Sequence, residues 1–226
     1  RVYCERADLE LIRAWINICW HAHGKSCEEP GITSRLLGRI RVIDIQTRTV
    51  VDAPPGCRYA ALTYVWGDRP QFQARKEHFQ RDAFGRKCMP LPQRLPQTIT
   101  DAFFIVHSIG LRYLWVDSLC IIQNSHEDRH DQILRMDAIY SSAVVTIAAA
   151  SGAHSDTGIS GVSLARAFHQ VSEIIQGFRL AIPLPSYADL DRDDNLIWNT
   201  RGWTFQEKVL SRRLLMFTNH QVYFRC

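Results

Sequence analysis

The sequence predicts an α/β domain built on a mainly parallel sheet that is flanked by helices. Three nearly continuous apolar runs, near residues 59–65, 112–117 and 143–149, are typical of strands buried on both faces. Helical patterns separate these runs, and alternating strands and helices imply right-handed crossovers. We therefore expect the three strands to be neighbours, with functional side chains near their carboxyl ends.

Composition excludes several classes of protein. The 226 residues carry a formal charge of +4, but basic and acidic residues are interspersed and form no basic stripe, so we expect no nucleic-acid partner. The seven widely spaced cysteines favour reduced thiols and a cytoplasmic location. No apolar run has membrane-spanning length, so we expect no membrane partner. Because the first residue is Arg1 rather than methionine, we expect a fragment of a longer chain.

The first 57 residues are predicted to form an extension in front of the main domain, residues 58–226. Leu9, Ile12 and Ile16 have helical spacing and predict an amphipathic helix over residues 7–22 that packs on the domain. Residues 35–56 alternate as a β-hairpin does and end in a Pro-Pro-Gly stop. The polar stretch 68–94 is expected to contain little regular structure.

Two helices are predicted between the three buried strands. Residues 95–110 place Ala102, Phe103, Val106 and Ile109 on one apolar face, and Gly110 is a helix stop. Ser125, followed three residues later by an acid, begins the second helix as a capping residue does.

The segment "RGWTFQEKVL", residues 201–210, places Trp203 four residues before Glu207. On a helix this spacing puts both side chains on one face, so an aromatic ring would stand beside a carboxylate. Such a pair could bind a substrate that contains a ring. The alternative is that Trp203 belongs to the core and Glu207 to a solvated helix surface.

Two patterns are similar to metal sites. "HEDRH", residues 126–130, matches a metalloprotease pattern, but its position in the first turn after a cap argues against zinc. Cys19, His23 and Cys27 are four residues apart and could hold a structural zinc if a fourth ligand such as Cys57 folded back. This spacing is not that of a standard zinc finger. Packing is therefore the favoured interpretation, and we expect no cofactor.

The chain resembles the fungal heterokaryon-incompatibility (HET) domain. The resemblance rests on "RYAALTYVWGD" (58–68), "LPQTITDAFFIVHSIGLRYLWVDSLCIIQ" (95–123), "EDRHDQILRMDAIYSSAVVTIAA" (127–149) and "RGWTFQEKVLSRRLLMF" (201–217), which occur in the family's order. Thr63 stands where the family usually has serine, and Ile122 where it has asparagine or aspartate. The resemblance implies a cytoplasmic domain that triggers programmed cell death after non-self recognition.

HET domains have been likened to Toll/interleukin-1-receptor (TIR) domains, which implies a flavodoxin-like sheet. In that likeness Glu207 falls on the glutamate that is catalytic in the TIR members that cleave NAD, and Thr204 replaces a cysteine. The implied activity is NAD hydrolysis in a homo-oligomer switched on by an upstream sensor. The alternative is a non-catalytic death-signalling module that acts by self-association and partner recruitment.

A nucleotide substrate would need aromatic, carboxylate and guanidinium groups around Glu207. The residues we expect to supply them are Tyr64, Trp66, Gly67, Asp68, Asp117, Gln123, Arg129, Arg201 and Trp203. Several of them have a structural alternative: core packing for the aromatic residues, a turn cap for Asp117 and surface ion pairs for the arginines. The sequence contains no glycine-rich phosphate loop.

Overall fold

The computed structural model describes residues 5–24, 27, 38, 40–166, 170–191, 193 and 196–226. Nine strands in this part of the chain form one sheet, and two more form a separate hairpin. The strands are β1 (Arg41–Asp44), β2 (Thr49–Asp52), β3 (Tyr59–Tyr64), β4 (Gln80–Arg81), β5 (Lys87–Pro90), β6 (Tyr113–Val116), β7 (Val145–Ala149), β8 (Ser172–Ile175), β9 (Phe178–Ala181), β10 (Leu214–Phe217) and β11 (Val222–Arg225).

Four parallel strands form the centre of the sheet, in the order β10-β7-β3-β6. Ala61 of β3 lies opposite Trp115 of β6 on one side and Thr146 of β7 on the other. Every residue of β3, β7 and β10 is buried, as their continuous apolar sequence requires. The prediction that the three apolar runs are parallel neighbours is therefore confirmed.

The sheet as a whole is mixed, because antiparallel strands extend both edges of this centre. The predicted hairpin exists as β1 and β2, and β1 pairs antiparallel with β6, so the hairpin belongs to the main sheet. On the far side of the hairpin, β5 and β4 continue the sheet, whereas β11 closes the other edge against β10. The predicted mainly parallel arrangement is therefore limited to the four central strands. The boundary at residue 57 stays a prediction.

The stretch 68–94 has more regular structure than we expected. It contains the two short strands β4 and β5 and a 3-10 turn at Lys76–His78. Pairing of β5 with β2 buries Cys88 and Met89, and this tertiary contact outweighs the polar character of the local sequence.

Seven helices lie in the described part of the chain. They are α1 (Leu9–Ala22), α2 (Gln97–Ser108), α3 (Asp117–Cys120), α4 (His126–Ile133), α5 (Met136–Ser142), α6 (Tyr187–Asp191) and α7 (Gly202–Leu210). None of these helices combines the length and the apolar composition needed to cross a membrane.

The helix boundaries follow local capping. Helix α1 begins at Leu9, two residues after the predicted start, because the Asp8 side chain accepts a hydrogen bond from the Leu11 amide at 2.9 Å. Ile12 and Ile16 are buried and Leu9 packs against the core, as predicted. Ser125 caps α4, accepting from the Asp128 amide at 3.4 Å. The strand in the apolar run 112–122 ends at Val116, because Asp117 begins the helical turn α3.

Helices cover both faces of the sheet. Helix α1 packs on α2, whereas α5 packs on α7. The chain runs from β3 to β6 and then back past β3 to β7, so right-handed crossovers place α2 and the pair α5–α7 on opposite faces. This reversal of direction opens the carboxyl ends of β3 and β7 as the expected position for a ligand site.

Candidate functional site

The carboxyl ends of the parallel strands bring several of the predicted residues together. Tyr64 is the last residue of β3, and Asp117 follows directly after β6. Glu207 lies on α7, which enters from the face shared with α5. These three residues come from separate segments, and the strand topology is what collects them.

Glu207 is buried, with 3% of its surface exposed. One carboxylate oxygen accepts a hydrogen bond from the Thr63 hydroxyl, and the other accepts from the Tyr140 hydroxyl at 3.2 Å. Burial and the neighbouring Glu207 charge raise the pKa of Tyr140 well above its ordinary value, so its hydroxyl remains a donor. The carboxylate is therefore held between β3 and α5.

Thr63 continues this hydrogen-bonded chain towards the interior. Its hydroxyl oxygen accepts from the indole nitrogen of the fully buried Trp198 at 2.9 Å. The backbone carbonyl of Trp198 accepts from the Thr204 hydroxyl at 2.7 Å. Thr204 thus fixes the loop that precedes α7.

Asp117 is the second carboxylate of the site and is partly buried. Its oxygens accept from the Trp66 indole nitrogen at 3.2 and 3.0 Å, and one also accepts from the Ser118 amide at 2.7 Å. Although part of the residue reaches solvent, protein atoms enclose the carboxylate. Desolvation, together with the nearby Glu207 charge, raises its pKa to about 6.

Arg201 and Tyr64 lie at the strand end, where each interacts with the charge of Asp117. Arg201 donates from Nη1 to the Tyr64 carbonyl at 2.6 Å, and its charge acts to lower the pKa of Asp117. The Tyr64 hydroxyl contacts Ser118 and Gln71, each at 2.9 Å. Burial and the Asp117 charge raise the pKa of Tyr64 well above its ordinary value. Tyr64 is therefore a buried, hydrogen-bonded part of the wall.

Gly67 is required by close packing. It has φ +70°, and a Cβ there would lie 2.4 Å from Cβ of His154. The loop after β7 approaches the backbone at this point, and the Ser155 amide donates to the Trp66 carbonyl at 3.0 Å. Only glycine fits both the left-handed conformation and the contact.

The other predicted ligand residues lie at the periphery or on the surface. Gln123 donates to the backbone carbonyl of Asp117 at 3.0 Å and so supports the loop. Asp68 and Arg129 are exposed. Trp203 is 49% exposed, whereas Glu207, four residues on, is buried. Substrate contact by these residues stays a prediction.

Thr63, Tyr140 and Trp198 were not predicted as site residues. Tyr140 is in the "DAIYSS" segment of α5, where helical spacing indicates a core position. A buried tyrosine needs a hydrogen-bond partner, which is the one sequence signal that could have identified it. Nothing in the sequence spacing indicates that Thr63 would contact Glu207 or that Trp198 would contact Thr63.

Cys19, His23 and Cys27 lie together at the opposite end of the sheet. They form a cluster with Cys226, in which all four ligand atoms lie within 4.8 Å of one another. Cys57, which we had named as an example of a fourth ligand, is buried elsewhere in the core. We refer to Cys19, His23, Cys27 and Cys226 as the thiol cluster.

The "HEDRH" segment has a structural explanation. Asp128 forms an ion pair with Arg41 at 2.6 Å and accepts from the Ile122 amide at 2.7 Å. His126 and His130 are exposed, and the thiol cluster is the one potential metal-binding group found among the described residues. Asp128 therefore fastens α4 to β1.

These features define a mixed α/β domain with two interacting carboxylates at the carboxyl ends of its parallel strands. The chain matches the family described as "Heterokaryon incompatibility protein (HET)" over residues 59–207. Because this match covers more than half of its length, the chain belongs to the HET family, which associates it with heterokaryon incompatibility and cell death. No curated protein and no solved structure matches it.

Proposed function

We propose that the chain is a cell-death effector domain of fungal non-self recognition that hydrolyses NAD or a related nucleotide at Glu207. The observation that carries this proposal is the pair Glu207 and Asp117 at the carboxyl ends of the parallel strands. Counted across the sheet from β6 to β10, the four central strands are the second, first, third and fourth of the four in chain order. This is the strand order of flavodoxin-like folds. This agreement supports the TIR-like interpretation.

The proposed reaction breaks the bond between nicotinamide and the ribose carbon. Nicotinamide leaves with the bonding electron pair and departs neutral, while positive charge develops on the sugar. The Glu207 carboxylate stabilises this charge, and water then adds to the same carbon. Asp117, whose pKa is about 6, takes the proton that the water loses.

Burial of Glu207 leads us to propose that the single chain is a resting form. Both carboxylate oxygens are engaged by Thr63 and Tyr140, and 3% of the residue is exposed. Access for a ribose therefore requires α7 to shift relative to α5. Self-association driven by an upstream sensor in the cytoplasm would supply that shift.

The second candidate is a non-catalytic module that acts by self-association. The observation that favours it is the set of large apolar side chains that the protein exposes to solvent. The two-stranded hairpin β8–β9 exposes apolar side chains on both of its faces, and α7 adds three more. The residues are Val171, Ile174, Ile175, Phe178, Leu180 and Ile182 on the hairpin, and Trp203, Phe205 and Val209 on α7. Such a surface favours contact with a second copy of the chain.

The deciding experiment compares Glu207→Gln with Glu127→Gln, an exposed glutamate on α4. Each variant is fused to an inducible oligomerisation tag, and NAD, nicotinamide, cell killing and thermal stability are measured together. The amide at position 207 keeps the shape but lacks the negative charge. We expect the rate of NAD loss to fall by more than about a hundredfold, because one such group commonly supplies about 3 kcal/mol or more.

The outcomes separate the two candidates. Loss of NAD cleavage and killing in folded Glu207→Gln, with both retained in Glu127→Gln, supports hydrolysis. Undiminished killing with unchanged NAD rules hydrolysis out. In that case Phe178→Glu on the hairpin should abolish self-association and killing together, which would establish the second candidate.

A further inference from the structure

The thiol cluster is assembled by the fold from two ends of the chain. Cys19 lies in the last turn of α1, and His23 is the C-cap residue, whose amide donates to the Cys19 carbonyl at 3.3 Å. A turn at Gly24, with φ +54°, brings Cys27 back towards them. Cys226 arrives directly after β11. Helical spacing and sheet pairing thus place four donor atoms around one point.

Two of the donor distances agree with tetrahedral coordination. Bond lengths of about 2.3 Å to sulfur and about 2.0 Å to nitrogen would separate a cysteine sulfur from a histidine nitrogen by about 3.5 Å. Nδ1 of His23 lies 3.7 Å from Sγ of Cys27 and 3.4 Å from Sγ of Cys226. Three sulfurs and one imidazole nitrogen are a standard donor set for structural zinc.

Arg213 is a second, independent observation that points to a ligand here. This side chain is fully buried, and a buried charge needs compensation. It donates to the carbonyl of Val144 at 3.1 Å, to the carbonyl of Cys27, and from Nε to Sγ of Cys19 at 3.1 Å. None of these three acceptors is a carboxylate, so neutral thiols would leave the guanidinium charge uncompensated at these contacts.

We propose that Cys19, His23, Cys27 and Cys226 bind one structural zinc ion. On binding, three thiol protons pass to solvent and the three sulfurs become thiolates. Zinc with three thiolates and a neutral imidazole carries one net negative charge, which balances Arg213. The N–H group of Arg213 orients the Cys19 sulfur, as outer-shell donors do at metal sites.

The role of this ion is structural and independent of the proposed NAD chemistry. All four donors are protein side chains, so no coordination position is open to a substrate. The ion would join the end of α1 to the end of the edge strand β11, two elements about 200 residues apart in the chain. A metal link stabilises a protein most when it closes a long loop of this kind.

The test uses the 226-residue chain purified under reducing conditions, with zinc measured by elemental analysis. We expect one zinc per chain and, after cobalt substitution, the absorption bands of tetrahedral thiolate coordination. Chelation should lower the melting temperature by roughly 5 °C or more. Cys226→Ser carries the test, because Cys226 is exposed and its replacement leaves the core intact. Cys57→Ser is the matched control, since that buried thiol lies outside the cluster.

The site is established if Cys57→Ser retains zinc and Cys226→Ser loses it. In Cys226→Ser, chelation should then no longer lower the melting temperature. A folded protein that takes up no zinc from a buffered solution would overturn the proposal. A disulfide among Cys19, Cys27 and Cys226 in freshly purified, zinc-supplied protein, detected by mass spectrometry, would overturn it equally.

Discussion

The two ends of the four parallel strands bury charge in different ways. At the carboxyl ends, Glu207 and Asp117 are two acids held by hydroxyl, indole and amide donors. At the amino ends, Arg213 is a single cation that contacts carbonyls and a sulfur. The acid pair adjusts to burial by a raised pKa at Asp117. An arginine cannot adjust in this way, because it stays charged, so its surroundings must supply the compensation.

This difference indicates what each end is suited to do. A carboxylate that changes its protonation near neutral pH, in a residue that partly reaches solvent, is suited to chemistry. A permanently charged, fully enclosed guanidinium is suited to holding structure. Perturbing each end should therefore produce different signatures: a change in the pH dependence of stability at the carboxyl ends and a large loss of stability at the amino ends.

The largest effect is expected from Arg213→Met. The methionine removes three hydrogen bonds and leaves buried carbonyl oxygens of Val144 and Cys27 without this donor. Breaking a buried charged network costs about 3–5 kcal/mol of unfolding free energy. Urea denaturation measures this loss.

Arg86→Met is the control for this substitution. Arg86 pairs with Asp82 at 2.8 Å, but its side chain is 73% exposed. Replacing it should change the unfolding free energy by less than about 1 kcal/mol. Equal losses in the two arginine variants would contradict the assignment of Arg213 as a buried structural cation.

The next effect concerns pH and Asp117. A folded-state pKa of about 6 lies above the ordinary value of 3.8, so between these values the folded protein binds more protons than the unfolded chain. This group therefore makes stability fall as pH rises from about 4 to about 6, by at most about 3 kcal/mol, and has no further effect at higher pH. Asp117→Asn should remove this decline.

Asp44→Asn tests the opposite sign. Burial acts to raise the pKa of Asp44, but hydrogen bonds from Arg112 and from the backbone outweigh it, and the net pKa is lowered. The stability that Asp44 contributes is present above its unfolded pKa and is lost as pH falls through its folded pKa. Urea denaturation of wild type and both variants across this range should show opposite slopes for the two aspartates.

Much of the fold could be predicted from sequence because its centre is encoded locally. The fully buried strands β3 and β7 are continuous apolar runs, and α1 and α2 have helical spacing on one face. The edges could not be predicted in the same way. Whether β1 pairs with β6, and whether β5 joins β2, depends on which edge remains open after the centre has formed.

The candidate site shows the same limit. Asp117 and Tyr64 follow from strand ends, and Glu207 from the family resemblance. The hydroxyl donors Thr63 and Tyr140 are selected by packing between β3, α5 and α7, which no local spacing encodes. Cys226 is close to Cys19 because α1 packs near β11, whereas Cys57, much nearer in sequence, points into the core.

An intermediate effect is expected from Gly67→Ala at the carboxyl end of β3. The residue has φ +70°, and the added methyl would meet Cβ of His154 at 2.4 Å and the Ala153 carbonyl oxygen at 2.9 Å. Backbone strain and the clash together should cost roughly 2–3 kcal/mol of unfolding free energy.

Gly56→Ala, just before the amino end of β3, is a matched control for this substitution. Gly56 has φ +68°, but nothing lies within 4 Å of its added Cβ, so strain alone should cost about 1 kcal/mol. Chemical denaturation of the two variants isolates the contact between Gly67 and the His154 loop. If both substitutions cost the same, that loop does not pack against the strand end as described.

The smallest effect is expected from Trp66→Phe, and it tests the link between the indole and Asp117 most directly. Phenylalanine keeps an aromatic ring but removes the N–H group that donates to both Asp117 oxygens at 3.2 and 3.0 Å. Because that hydrogen bond favours the charged carboxylate, its loss should raise the pKa of Asp117 above about 6, by roughly half a unit to one unit. Carbon-13 NMR titration of the carboxyl group, assigned with Asp117→Asn, measures the shift.

Trp203→Phe, on the half-exposed tryptophan, should leave the titration unchanged. An unmoved pKa of Asp117 in Trp66→Phe would mean that the indole N–H group does not help to set it, and that Trp66 is available to contact a ligand.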